Sequence, residues 1–303
     1  MAFTKIAVLG AGGNLGKHLM QGLLASTSPK FEITALTRPS SSYTAPADNV
    51  KVVKHDLADH AGIVEHLRGI EAFIIAIGKG SDFVPVSKSM IDAAIDAGVK
   101  LVLPSDYGAK DTPIMVKASP LKPPVRDYVQ AKAQEGKITY TLIKDGAIWE
   151  MPLKMAYGID HQAKTATIYG DGTQRFNATS FGSIAQAVVG ILRSPAQYAN
   201  KTVSIHDFHI NQQELLSIIE SEVNPDGAKF ETVTVDIEEL GKKSVEGLER
   251  GEFTMQNIFG AMNCAVYGEE RAADWDEDDD SVALGLEKKD LRAEIRKRLQ
   301  LGY

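Results

Sequence analysis

Cysteine is almost absent from this 303-residue chain: Cys264 stands alone, so no internal disulfide can form and a reducing compartment fits. Long apolar runs are missing as well. The longest are of strand length and are broken by glycine or charge, well short of the ~20 residues that a membrane-spanning helix needs. The start, Met-Ala-Phe-Thr-Lys, carries no apolar leader and runs straight into a strand pattern, so a cytoplasmic protein is expected. Basic charge is not in excess: 33 Lys and Arg against 40 Asp and Glu leave a net charge of -7. That balance argues against nucleic acid as a partner, because phosphate backbones demand clustered cations. The seven histidines, His206 and His209 among them, lack partners at metal-ligand spacing, and no metal is expected. No Gly-x-Ser-x-Gly segment marks a hydrolase elbow. The acidic run from Asp274 to Asp280 has no spaced pattern of hard ligands and reads as a solvated loop.

What is present is an alternation of short β-branched runs with helical patterns, the signature of βαβ units and a parallel sheet. Lys5 to Leu9, Phe31 to Thr37, Val50 to Val53, Ala72 to Ile77 and Lys100 to Leu103 read as strands. Helical patterns lie at Leu15 to Ala25, with Leu15, Leu19, Leu23 and Leu24 on one face, at Ala61 to Leu67 and at Val84 to Ala97. The Pro-rich stretch Thr112 to Pro124 reads as a long loop before a helix that begins near Val125, and Thr139 to Ile143 as a sixth strand. Beyond it, hairpin-like segments, Gly-Asp-Gly at 170 to 172 and two further helices suggest a smaller region. The expected fold is α/β: a Rossmann-type, doubly wound parallel sheet over residues 1–150, which later strands can join, with a smaller C-terminal substrate-binding region over 151–303.

Gly10-Ala11-Gly12-Gly13-Asn14-Leu15-Gly16 falls between the first strand and the first helix. There Gly10 permits the tight turn, Gly13 brings backbone to a pyrophosphate, and Gly16 lets the helix pack closely, while the helix N-terminus offers its free N–H groups to the anion. The second strand ends in Thr37-Arg38, where an NAD site usually places Asp or Glu. A guanidinium followed by Ser40, Ser41 and Ser42 suits a 2′-phosphate instead, which favours NADPH as cofactor. Asp56 after the third strand and Gly78 after the fourth lie where adenine and nicotinamide-ribose contacts form in such sheets.

These landmarks resemble the NmrA-like, isoflavone reductase-like branch of the atypical short-chain dehydrogenases. The resemblance runs over nearly the whole chain and rests on Gly10 to Gly16, on Ile91 to Lys100, on Leu103-Pro104-Ser105-Asp106-Tyr107-Gly108 and on Tyr169-Gly170-Asp171-Gly172. Asp106-Tyr107 stands where the family usually has Glu-Phe. The resemblance implies NADPH-dependent reduction of aromatic or phenylpropanoid-like molecules, with a lysine near the nicotinamide at the start of the helix after the fifth strand. Lys122, followed here by Pro123-Pro124, corresponds to it. A lysine there can hydrogen-bond the ribose, stabilise an oxyanion or relay a proton. Tyr128 and Lys132 form a competing pair at the Tyr-xxx-Lys spacing of conventional short-chain dehydrogenases. Tyr107 and Trp149 are candidate substrate contacts; Trp149, Met151 and Met155 equally suit a packed core.

Three functions remain open at this point. The first is an NADPH-dependent reductase of a small aromatic or unsaturated carbonyl-type substrate. The second is a non-catalytic NADP(H)-binding redox sensor of the NmrA type that offers its C-terminal surface to a protein partner. The third is a redox-neutral tailoring enzyme, since fold alone does not fix chemistry.

Overall fold

Continuous apolar runs, rather than alternating ones, make the central strands, as burial on both faces requires. The computed structural model describes residues 1–78, 80, 82–275 and 279–301. Along the first half the elements are β1 (Lys5–Leu9), α1 (Asn14–Ala25), β2 (Glu32–Thr37), β3 (Val50–Lys54), α2 (His60–Leu67), β4 (Ala72–Ile75), α3 (Phe83–Asp96), β5 (Leu101–Leu103), α4 (Pro113–Ala118), α5 (Pro123–Gln134) and β6 (Thr139–Lys144). The second half adds β7 (Ala147–Ile148), α6 (Leu153–Tyr157), β8 (Ile159–Asp160), β9 (Thr165–Tyr169), β10 (Arg175–Thr179), α7 (Phe181–Arg193), α8 (Pro195–Tyr198), β11 (Lys201–Ser204), β12 (Phe208–Asn211), α9 (Gln212–Val223), β13 (Glu231–Val235), α10 (Ile237–Glu249), α11 (Met255–Tyr267) and α12 (Leu291–Leu301).

A seven-stranded sheet in the order β11-β6-β5-β4-β1-β2-β3 organises the molecule. All of its pairings are parallel. From β1 the chain winds outward through β2 and β3, then returns to β4 on the other side, so the order reverses between β1 and β4. Open α/β sheets bind ligands at that reversal, beyond the carboxyl ends of the strands. One face is covered by α1 and α7, whose buried Leu19, Leu23, Ile184 and Val188 pack with Ile6 and Val8 of β1. The helices cross closely: a Cβ on Gly22 would lie 2.9 Å from that of Ala185. The opposite face packs α2, α3 and α5 through Ile63, Met90, Ile91 and Val129 against Ala7, Phe73 and Val102. After residue 150 the chain thus returns to the sheet, through α7 and β11.

The rest of the second half builds two small sheets, β12-β10-β7 and β13-β9-β8, with α6 and α9 to α12 around them. Its core is aromatic: Trp149, Tyr157, Phe176, Phe208 and Tyr267 are buried together. The sequence patterns differ from this structure in several places. The Pro-rich stretch is not one long loop, because α4 forms within it; Pro113 starts that helix, where its missing N–H would be unsatisfied in any case. By the same rule α5 begins at Pro123 rather than near Val125. The region beyond β6 carries seven helices among the described residues rather than two, several of them too short or too polar to show a clear apolar period. The acidic run is only partly solvated loop: Asp274 accepts from His209 at 2.9 Å, and Asp280 accepts the Ser204 N–H at the end of β11, also at 2.9 Å. Residues 276–278 of that run lie outside the described residues. No helix among the described residues is long and apolar enough to cross a membrane.

Candidate active site

At the β1/β4 reversal lies a cavity of about 770 Å³, lined from β1 by Leu9, Gly10, Ala11, Gly12 and Gly13 and from β4 by Ala76, Ile77, Gly78 and Gly80. Sequence dictates its floor. Gly10 has φ +93°, and a Cβ there would fall 2.3 Å from the Ala76 carbonyl oxygen, so only glycine lets the two loops meet. Gly16 sits in the first turn of α1, where a Cβ would stand 1.9 Å from the Gly10 oxygen. Gly16 therefore fixes how closely the helix approaches the turn. The N-cap of α1 is Gly13, no side chain caps it and no acidic residue occupies the first turn, which leaves the positive end of the helix aimed at the cavity.

Thr37 and Arg38 at the end of β2, with Ser40, Ser41 and Ser42, line the outer part. Arg38 is exposed; Thr37 is buried, and its hydroxyl donates to the Val53 carbonyl at 3.2 Å, which ties β2 to β3. Three predicted cofactor residues in the first helical turn and one after β3 stand back from the wall. Gly16 packs beneath Gly10, Leu15 packs against the sheet core, Asn14 is exposed at the start of α1, and the Asp56 carboxylate accepts the Ala58 N–H at 3.0 Å, leaving Leu57 to line the cavity. Lys17, Tyr43, Asp82 and Val86 also line it and were not singled out from the sequence. Lys17 had a readable signal, a cation one turn after the glycine loop; Tyr43 and Val86 had none.

One strand further out, the segment after β5 lies against the lining after β4, although neither its residues nor Lys122 are among those that line the cavity. Ser105 donates its hydroxyl to the Ile77 carbonyl at 3.0 Å, joining the Leu103–Gly108 segment to the lining. Next to it is a cluster of charges drawn from several elements. The Lys144 ammonium at the end of β6, almost wholly buried, donates to Asp106 and Asp111, each at 3.0 Å. Arg126 of α5 pairs with Asp111 and stands 3.6 Å from Asp106. Lys122, half-buried at the N-cap of α5, donates to the Tyr107 carbonyl. Burial holds its ammonium below the usual lysine range, opposed by the charge of Asp106. Asp145, fully buried, accepts the Gly108 N–H, and burial pushes its carboxyl up to about 6. The Tyr107 phenol is buried without a hydrogen-bond partner among the described residues, and burial raises it.

The other candidates stand apart. Tyr128 donates to Asp92 of α3 at 2.5 Å, and Lys132 pairs with Glu135 at 3.8 Å while its ammonium lies 5.1 Å from the Tyr128 ring centroid. That pair serves the α3/α5 face. Trp149 is buried in the second core, 4.8 Å from the Phe208 ring and 4.9 Å from the Arg298 guanidinium. It lines no part of the cavity.

The sequence profile of the NmrA-like family matches residues 3–284. Oxidoreductase aprR of Aspergillus flavus is 28% identical, covering 82% of this chain and 82% of its own. Oxidoreductase poxI of Penicillium oxalicum is also 28% identical, covering 98% of this chain and 94% of its own. Among solved structures, AtPrR2 with NADP+ and (+)pinoresinol superposes with a TM-score of 0.76 at 19% identity, covering 98% of this chain and 99% of that one.

Proposed function

The chain belongs to the NmrA-like family, and on that premise we propose that it is an NADPH-dependent reductase of a small aromatic or unsaturated carbonyl-type substrate. The observation that carries this reading is the cavity at the β1/β4 reversal, with glycine backbone and an uncapped helix N-terminus at one end and Arg38 with three serines at the other. Its residues fit a phosphorylated dinucleotide. The Gly10–Gly13 turn and the α1 N-terminus hold the pyrophosphate, and Arg38 with Ser40, Ser41 and Ser42 holds the 2′-phosphate by charge-assisted hydrogen bonds. The names of the two fungal relatives, and the NADP+ bound in AtPrR2, support the same assignment.

When bound, the nicotinamide supplies the hydride. The chain's own part is to orient, to exclude water and to manage charge. The segment after β5, on which the Lys122 ammonium rests, stands beside the wall formed after β4, and this supports Lys122 as the group that polarises a carbonyl oxygen or hands it a proton. A depressed proton affinity suits that task, since a buried lysine gives up its proton more readily than a solvated one.

The test is to incubate the purified protein and NADPH with aromatic ketones, quinones and enones, following loss of the reduced cofactor. Turnover with one of these classes is expected, reduced by about 100-fold in Lys122→Ala while NADPH binding persists. No turnover across the panel, with affinities that differ between NADP+ and NADPH, would favour a redox sensor instead.

A further inference from the structure

The charges around Lys122 do not all have partners of their own. Lys144 and Arg126 neutralise Asp106 and Asp111: the lysine bonds both carboxylates at 3.0 Å, and the arginine pairs with Asp111 and approaches Asp106. Asp106 favours the Lys122 proton, Lys144 opposes it with the next largest effect, and Asp111 adds a smaller favourable one. One cation and one anion are then left over, Lys122 and Asp145. Neither enters an ion pair within 4.0 Å among the described residues, yet each feels the other: Asp145 favours the charged ammonium, and Lys122 is the largest single influence keeping Asp145 ionised against burial.

Backbone geometry couples the two as well. The Gly108 peptide is gripped from the end of β6 on both sides, its N–H by the Asp145 carboxylate and its carbonyl by the Asp145 N–H at 3.0 Å and the Gly146 N–H at 3.2 Å. The Lys122 ammonium rests on that same loop, donating to the Tyr107 carbonyl, and lies 2.9 Å from where a Cβ on Gly108 would be. The second Asp145 carboxylate oxygen is buried with no hydrogen-bond partner among the described residues, as is the Tyr107 hydroxyl. A carboxylate carrying one backbone hydrogen bond and one bare oxygen is costly to bury unless a nearby cation repays it.

We propose that Asp145 is a positioning residue for the reaction: it anchors the loop on which the Lys122 ammonium rests and adds, beside Asp106, a buried negative charge that has no ion-pair partner of its own among the described residues. The role rests on the reading of Lys122 as the acting residue. Through it, Asp145 sets the pH range in which Lys122 can donate a proton, and protonation of Asp145 weakens that hold.

Asp145→Asn keeps an acceptor for the Gly108 N–H and removes the charge. In protein labelled with 13C at lysine Cε, the Lys122 signal, assigned by its loss in Lys122→Arg, is expected to titrate about one pH unit lower in Asp145→Asn. The alkaline limb of kcat should move down with it while KM for NADPH holds. Should Asp145→Asn fail to fold, the reciprocal variant decides: Lys122→Met should raise the Asp145 titration, read from 13C at aspartate Cγ. Titrations that ignore each other in folded variants would overturn the pairing, as would a kcat lowered equally at every pH. Uncoupled titrations with turnover lost in Lys122→Met would sink the pairing alone; coupled titrations with turnover intact would sink the catalytic reading of Lys122 and the role of Asp145 together.

Discussion

Where β1 ends, the cavity wall is backbone: Gly10, Gly12 and Gly13 face it, and the uncapped first turn of α1 supplies the positive potential. Where β5 and β6 end, two and three strands further across the sheet, the wall gives way to charged side chains, with Lys122, Lys144, Arg126, Asp106, Asp111 and Asp145 clustered together. On the proposed function, the contrast separates two tasks. A pyrophosphate is bound by amides that never change charge, so that end is built once and held rigid by close packing. Proton management needs groups whose charge can change, so the other end is built from ionisable side chains tuned by burial.

Breaking the backbone end should have the largest effect. In Gly16→Ala the added methyl would meet the Gly10 oxygen at 1.9 Å, and the α1 helix must shift to relieve it. A loss of about 3 kcal/mol in urea unfolding is expected, with NADPH binding abolished. Gly78→Ala is the matched control, because nothing lies within 4 Å of its would-be Cβ; its stability should change by no more than about 0.5 kcal/mol. A milder effect is expected at the mouth of the cavity. Arg38→Ala removes charge-assisted hydrogen bonds to the 2′-phosphate, so fluorescence titration should show NADPH affinity falling by about 10-fold and NADH affinity unchanged. Milder again than Arg38→Ala is Tyr128→Phe, which deletes the hydrogen bond to Asp92 of α3. A cost of about 1 kcal/mol in thermal unfolding and an unaltered kcat are expected; a large fall in kcat would move the chemistry to the Tyr128/Lys132 pair.

Legibility from the sequence follows the same division. The glycine turn is local, spread over seven residues between a strand and a helix, and the spacing alone gives its conformation and underlies the use proposed for it. Lys5 to Leu9 gives β1 to the residue because Ile6 to Leu9 is a bounded apolar run, whereas the apolar pattern of β4 runs two residues past its end because Ile77 is as apolar as a strand residue while serving in the wall. The charge cluster could not be read. Its members come from positions 106, 111, 122, 126, 144 and 145, and only the parallel pairing of β5 with β6 and the start of α5 bring them together. Nothing in Lys144-Asp145 by itself distinguishes a buried pair from a surface turn. The second core was hidden for a different reason: Trp149 suits an aromatic pocket and a packed interior equally, and Phe208 and Arg298, which decide between them, lie 59 and 149 residues further along.

The account stands most directly on the phosphorylated dinucleotide. Isothermal titration of the purified, folded chain with NADP+ and NAD+ in parallel should give saturable heat with NADP+ and an affinity about 10-fold or more weaker for NAD+, in keeping with Arg38 and its serines at the cavity mouth. No heat with either nucleotide would contradict it.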